Sequence, residues 1–468
     1  MTERQTEQNF GSFRDPAGNV FESDGAIFRT VTEKGREDYE FFVSSGLGSE
    51  LQSKKWLIPY RELEACPIPE RGQESGAQVW KWLEVEKVPF VSWPCEWCFH
   101  QLKDAAVLTL KIQQAALEKG MTLKDASAYN VQMFRGRPIF IDLLSFEKYE
   151  EGRPWTAYRQ FVMHFLGPLL LMGRRDLRFS ALFRDWIDGF PVDFVSKNLP
   201  WTTRFSPSCQ IHVHWHAKLL RKYESTRGEQ TAQPKKKLSL RQLKSLIESL
   251  LQMVQGISAP YPQTEWGNYY EDTNYSDSAF EYKQQIVAEI CARLEPRKVV
   301  DLGANCGEFS RVLPASVETI ISADIDPVAV DKNYVQVRRA KERNIYPILQ
   351  DLCNPTPGIG WLNAERSGFF DRARCDLSFS LALIHHLCIG NNLPMDYVAQ
   401  MLSRLGDHAV LEFVPKEDSQ TQRLLRSRED IFPNYDLAHC LEAFSKYFSR
   451  AEQFPVKDSL RTILFFQR

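Results

Sequence analysis

The feature that most restricts how this 468-residue chain can fold lies past its midpoint. Lys298 to Leu302, KVVDL, is a short apolar run with an acid near its end. It passes directly into Gly303, Asn305 and Gly307 before the helix-like EFSRVLPAS. That order predicts a strand, a tight turn and a helix. Glycine permits positive φ and lets a ligand approach the main chain, while the start of the following helix offers unpaired N–H groups. Such a turn suits a polar, partly charged ligand.

The next segments extend the pattern. ETIISAD, with Ile320 and Ile321 at its apolar centre, reads as a second strand ending at Asp324, 23 positions beyond Asp301. In a doubly wound sheet ligands sit at the carboxyl ends of the strands, so a carboxylate at that tip can accept both hydroxyls of a ribose. Asp326 precedes Pro327 and is read instead as the cap of the helix PVAVDKNYVQVRRAKE. NIYPILQD is a third strand, closed by Asp351. RCDLSFSLALIHHL is a fourth, with Asp376 at its start and His385 and His386 beyond it, and DHAVLEFVPK is a fifth ending near Glu412. Helix and strand alternating after Lys298 predict an α/β, Rossmann-like, doubly wound sheet.

A glycine-rich turn after a strand is shared by NAD-binding folds and by plain structural turns, but the dinucleotide fingerprint GxGxxG is not met by GANCG. The order of pieces, and VVDLGANCG in particular, resembles the class I S-adenosylmethionine-dependent methyltransferases in their VxDLGxNxG form, over roughly Trp266 to Arg468. The resemblance implies S-adenosyl-L-methionine as cofactor. It implies that Asp301, Gly303, Asn305 and Gly307 hold the methionine end, Asp324 the ribose hydroxyls and Asp351 the adenine amino group. Asn305 departs from the commoner central glycine of that family. Whole-chain resemblance, carried by QLKDAAVLTL, PWTAYRQF and LEFVPKED, is to bacterial proteins described as such methyltransferases, some of them named nodulation proteins.

Methyl transfer from a sulfonium is an in-line displacement, so the protein mainly aligns a nucleophile and removes its proton where needed. His385, His386, Glu412, Lys416 and Asp418 fall around the fourth and fifth strand tips. His386 is the preferred general base, with His385 and Glu412 as the other catalytic candidates. Packing or capping is the competing role for one of two adjacent histidines. Upstream, Trp266, Tyr269, Tyr270, Tyr275 and Tyr282 suit either a lid over the site or ordinary packing on the sheet. The acceptor, whether small molecule, protein or RNA, is not legible. The competing class is a binding or scaffold protein without catalysis.

In the first half, a long helix from Trp97 leads to a loop and two short strands joined by Arg135-Gly136-Arg137. Asp125, Asn130 five positions on, and Asp142 twelve after that are similar to the catalytic and metal-binding segments of protein kinases and aminoglycoside phosphotransferases. That similarity implies an α+β, kinase-like lobe that would hold ATP and magnesium at Asp125, Asn130 and Asp142. However, Leu123-Lys124 stands where His-Arg is usual, and LLS follows the last Asp. No glycine-rich loop precedes a V-A-I-K-like strand. These departures argue against a working phosphotransferase and for a module that presents substrate or partner. Cys95 and Cys98 have C-x-x-C spacing but lack a second pair for zinc. His212, His214 and His216 alternate as on one strand face, yet no carboxylate completes a metal set, so no resident metal is expected.

Lys and Arg total 58 against 60 for Asp and Glu, a formal charge of -2, so no global basic excess points to nucleic acid or acidic lipid. The polar start MTERQTEQNFGSFRDPAGN argues against a secretory signal. Phe165 to Met172 is far too short for a membrane span and reads as buried helix, and the ten cysteines suit a reducing cytoplasm. No membrane partner is therefore expected. The polar break ESTRGEQTAQPKKKL divides the chain into 1–225, a linker over 226–239, and a methyltransferase domain over 240–468 that opens on the helix of Leu243, Ile247 and Leu250.

Overall fold

The computed structural model describes residues 6–8, 10–67, 78–225, 238–264, 277–426 and 428–468. The chain forms two compact units, Met1–Pro260 with Gly358–Arg366, and Tyr261–Pro357 with Ser367–Arg468.

The first unit is α+β. Strands β1 (Thr6–Gln8), β2 (Val20–Ser23), β3 (Ala26–Thr32), β4 (Tyr60–Leu63) and β5 (Val79–Val85) make an antiparallel sheet in the order 1-2-3-5-4, with helix α1 (Glu33–Ser44) between β3 and β4. Helix α2 (Phe99–Glu118) buries Leu102, Ala105, Ala106, Leu110 and Ile112. It is followed by β6 (Met121–Leu123), which pairs with β9 (Phe146–Lys148), and by the hairpin of β7 (Val131–Phe134) and β8 (Arg137–Phe140). Arg135 and Gly136 both take positive φ, 50° and 75°, as a two-residue hairpin turn demands. Phe165 to Met172 is buried throughout.

Helix α3 (Leu240–Gly256) starts where Ser239 accepts the Gln242 amide, and it buries Leu243, Ile247, Leu250, Leu251 and Val254 on one face. The sequence expectation puts this helix at the head of the second domain, but it belongs to the first unit. Its apolar stripe packs on α2, and Lys103 of α2 donates to the carbonyls of Gln255 and Ile257 at 2.8 and 2.7 Å. An amphipathic pattern shows that a face is covered without showing by what, so the units part after Pro260 and not at 240. The expected linker lies, as far as Lys237, outside the described residues. The first unit also takes in Gly358–Arg366, where Glu365 accepts Arg14 through two bonds of 2.9 Å.

The second unit is the doubly wound sheet. After helix α4 (Asp277–Leu294) come β10 (Lys298–Leu302), α5 (Glu308–Val312), β11 (Thr319–Asp324), α6 (Pro327–Ala340), β12 (Ile345–Leu349), β13 (Leu377–Ser380), α7 (Met395–Leu405), β14 (His408–Phe413), β15 (Arg450–Pro455) and β16 (Thr462–Gln467). The order is β12-β11-β10-β13-β14-β16-β15, parallel through β14 and antiparallel beyond. Expected strands one to five are all present. The edge hairpin of β15 and β16 is additional, and the continuous apolar run in RTILFFQ is its signal. Val299, Ile320, Leu377, Phe379, Val410 and Phe465 form the core with Ile286, Val287 and Ile290 of α4. Connections from β10 run to β11 and β12 and then return to β13, so the topological switch lies between β10 and β13, where such sheets open a crevice.

Candidate functional site

A cavity of about 320 Å³ opens at that crevice. Its wall includes Asp301 near the end of β10, Gly303, Ala304 and Asn305 after it, Asp324 and Ile325 at the tip of β11, and Gln350 to Cys353 after β12. Leu381 to Leu383 follow β13, with His386, Leu387, Gly390 and Asn391 beyond, and Phe280, Lys283, Phe309 and Leu424 complete it. The topology therefore gathers Asp301, Gly303, Asn305, Asp324, Asp351 and His386, all singled out in the sequence, around one space.

The bend after β10 explains the departure from glycine. Asn305 takes φ 49°, in the left-handed region that asparagine tolerates better than other non-glycine residues. Its amide donates to Asp324 at 2.8 Å, and its own side-chain oxygen accepts the Cys306 amide at 2.9 Å. Gly303 has φ 72°, and a Cβ there would stand 3.3 Å from Leu383, so the glycine keeps the crevice open. Gly307 does not line the cavity. It caps α5 with φ 82°, where a Cβ would press on Arg311 and Asn333 at 2.7 Å, so glycine is needed there for the shape of the loop.

Both inner acids are buried. Ser310 donates to Asp301 at 2.7 Å, and burial, reinforced by the neighbouring Asp324, pushes the Asp301 carboxyl up to about 6. Asp324 is likewise pushed up to about 6 by burial, although the amides of Asp326 and Asn305, each at 2.8 Å, pull the other way. Asp351 accepts the Cys353 amide at 2.8 Å. Asp326 caps α6 by accepting the amides of Val328 and Ala329, as the sequence indicates. Two desolvated carboxyl groups beside exposed main chain suit a ligand that brings hydroxyls and positive charge, and S-adenosyl-L-methionine fits that donor set.

The catalytic candidates separate. His386 faces the cavity, and burial lowers its imidazole to about 4. The His385 ring lies tilted against it with ring centres 4.1 Å apart but is outside the lining, its Nδ1 buried without a hydrogen-bond partner among the described residues. Glu412 is fully buried and also outside the lining. Lys283 Nζ donates to it at 2.7 Å, and Arg461 lies 3.5 Å away. Its expected role among the reacting groups is corrected to that of a buried counter-ion, because a carboxylate at the base of a strand tip must be paired when it is taken from water. Lys416 pairs with Asp430 at 2.8 Å and Asp418 with Arg461 at 2.7 Å. Asp376 accepts the amides of Arg297 and Lys298 at the far end of the sheet.

Sequence reasoning missed Lys283, Phe280 and Phe309. Lys283 sits over the Phe309 ring at 5.1 Å while pairing with Glu412 across 129 positions, a contact no local pattern announces. Tyr282 is half-buried against the core, the packing alternative. Trp266, Tyr269, Tyr270 and Tyr275 lie outside the described residues.

In the first unit Asp125, Asn130 and Asp142 have protein partners. Asp142 pairs with Arg29 of β3 and accepts Ser145 Oγ. Asn130 donates to Ser145 at 3.1 Å, and Asp125 accepts the Ser127 amide at 2.8 Å. Burial alone would raise the Asp142 carboxyl, yet Arg29 and these bonds hold it below its ordinary value. Cys95 and Cys98 are buried and form no disulfide. His212, His214 and His216 lie on a helix, not a strand. His212 bonds Tyr158 at 2.8 Å and His214 bonds Ser196 at 2.9 Å. Among the described residues no three His, Cys, Asp or Glu side chains gather as metal ligands, and no helix is long and apolar enough to cross a membrane.

Fold and cavity together define a doubly wound α/β unit with an acid-lined ligand crevice at its switch point. The chain is 33% identical over 466 residues to the nodulation protein NoeA of Rhizobium meliloti (strain 1021), spanning 98% of this chain and 95% of that one, and it belongs to the NoeA family. No family model matches it. Solved structures with similarity include the methyltransferase domain of bacterial CtHen1 (16% identity, 40% of this chain, 98% of that chain, TM-score 0.30). Another is the magnesium protoporphyrin IX methyltransferase ChlM of Synechocystis PCC 6803 with bound SAH (18%, 42%, 90%, 0.29).

Proposed function

We propose that the second unit is an S-adenosyl-L-methionine-dependent methyltransferase. The observation that carries this reading is that Asp301, Asp324 and Asp351, at or just past the carboxyl ends of three adjacent parallel strands, line one cavity beside the bend at Gly303 and Asn305. Bound there, the cofactor would supply a sulfonium-activated methyl group. Asp324 would accept the ribose hydroxyls, Asp351 the adenine amino group, and Asp301 with the main chain of Gly303 and Asn305 the methionine end.

His386 would take the acceptor's proton. Its imidazole is neutral at neutral pH because burial disfavours the cation, and a base this weak suffices because an oxygen or nitrogen becomes strongly acidic as it gains the methyl group. Phe280, Phe309, Leu383 and Leu387 surround this side with apolar surface that excludes water from the transfer.

For the first unit the reading is a module that presents substrate or partner. The pairing of Asp142 with Arg29 supports a charge cluster satisfied from within over an ATP and magnesium site. Titration of the full chain with S-adenosylhomocysteine, followed by transfer of isotopic methyl from labelled donor into bacterial extract, tests the reading. Affinity without transfer would favour a cofactor-binding scaffold, and absence of both would dismiss the enzyme.

A further inference from the structure

Fifteen large apolar side chains are exposed among the described residues, and five of them fall between positions 201 and 219 of the first unit: Trp201, Phe205, Ile211, Trp215 and Leu219. Scattered exposed apolar residues are ordinary, but a concentration of this kind marks an interaction surface. Trp201 and Phe205 are 70% and 76% exposed and stack edge to face with centroids 5.6 Å apart on the turn Trp201–Phe205. Ile211, Trp215 and Leu219 follow at intervals of four on the helical stretch from Gln210 to Ser225, which places them along one stripe. Thr203 bonds His214 at 3.0 Å, fixing the turn against that helix.

The charges around the stripe indicate what it meets. Between Leu199 and Ser225 the chain carries Arg204, Lys218, Arg221 and Lys222 against the single acid Glu224. The net charge of the whole chain is -2, so this basic excess is local. Lys218 stands one helical turn beyond Trp215, and Lys222 one turn beyond Leu219, and both are exposed, so helical spacing puts cations beside the apolar stripe. Exposed tryptophan and phenylalanine edged by lysine and arginine are matched to a boundary that is apolar inside and anionic at its rim: rings enter the acyl margin while the long cationic stems reach the headgroups.

We propose that the first unit docks on an anionic lipid surface through Trp201, Phe205, Ile211, Trp215 and Leu219, with Lys218 and Lys222 holding the headgroups. The contact lies on the membrane and does not cross it.

Co-sedimentation of the full chain with phosphatidylcholine vesicles, with and without phosphatidylglycerol, tests this. The expected result is binding to the anionic vesicles that falls at least about tenfold on neutral ones and weakens with added salt. Trp201→Ala with Trp215→Ala, and separately Lys218→Glu with Lys222→Glu, should each abolish it while leaving the thermal unfolding curve unchanged, since these side chains are exposed. Failure to bind either vesicle overturns the proposal, as does binding that ignores lipid charge or both variants. Concentration-dependent dimers in light scattering, removed by Trp215→Glu, would overturn it in favour of a face between copies of this chain.

Discussion

The backbone amide of Asn305 donates to the carboxylate of Asp324 at 2.8 Å, so the left-handed residue of the first bend and the acid at the tip of the second strand act as one unit. The same carboxylate receives the Asp326 amide, which starts α6. Asp324 is therefore both a proposed ligand group and the clasp of the crevice.

Replacing Asp324 with alanine should weaken S-adenosylhomocysteine binding at least about tenfold, and as much as about a hundredfold, the worth of one or two hydrogen bonds to a charged group. Isothermal titration reads the loss, and unchanged affinity would dismiss the ribose assignment. Asp324→Asn keeps an acceptor for only one of the two amides, because Asn305 and Asp326 donate to different carboxylate oxygens. It should therefore lose some stability as well as affinity, though less of both than Asp324→Ala.

Asn305→Gly should be tolerated, because glycine takes φ 49° without strain. Asn305→Val should cost about 1–2 kcal/mol from backbone strain alone and lower cofactor affinity with it. Urea unfolding beside titration distinguishes the two. A stable, fully binding valine variant would show that the bend does not need the left-handed residue.

Much of this crevice was readable because its chemistry is local. KVVDL followed by GANCG joins a short apolar run to a residue pattern that only a tight turn accommodates, and the second and third strands close near an acid. What could not be read depends on distance in the chain. Glu412 looks like any strand-tip acid until Lys283, 129 positions earlier, is seen beside it. Helix α3 has a clean apolar stripe, but the stripe does not say that α2 covers it. The histidines at 212, 214 and 216 alternate, and alternation alone suggested a strand where bonds to Tyr158 and Ser196 fix a helix.

The Lys283–Glu412 pair has both side chains buried, so removing one partner takes away the shortest compensation of the other's charge. Glu412→Gln should destabilise the protein by about 3–5 kcal/mol, and Lys283→Met combined with Glu412→Leu should recover most of it. Chemical denaturation of Lys283→Met, Glu412→Leu and their double variant gives the coupling. A Glu412→Gln protein of normal stability that had lost turnover would return Glu412 to the reacting groups.

The pH dependence of the enzyme should be set by carboxyl groups and not by the histidine. Asp301 and Asp324 titrate at about 6, whereas His386 titrates at about 4. Hydroxyls and a sulfonium bind the ionised acids, so kcat/KM for the donor should fall as pH drops through about 6, while His386 stays neutral across that range. The Asp301→Asn variant should shift or flatten this acid limb, and His386→Asn should lower kcat by about 10²–10⁴ without moving the limb. Stability follows the same shifts with defined signs. The folded protein holds the Asp301 proton more tightly than the unfolded chain, so between about 4 and 6 this residue makes stability fall as pH rises, with the full loss present above 6. His386 acts oppositely: the unfolded chain binds its proton more tightly, so its contribution rises with pH between about 4 and 6.5. Asp301→Asn should accordingly stabilise the apoprotein more at pH 7.5 than at pH 4.5, and urea midpoints at about those two values read the difference. An equal effect at both would mean that Asp301 is ionised throughout, in which case the acid limb of kcat/KM belongs to another group.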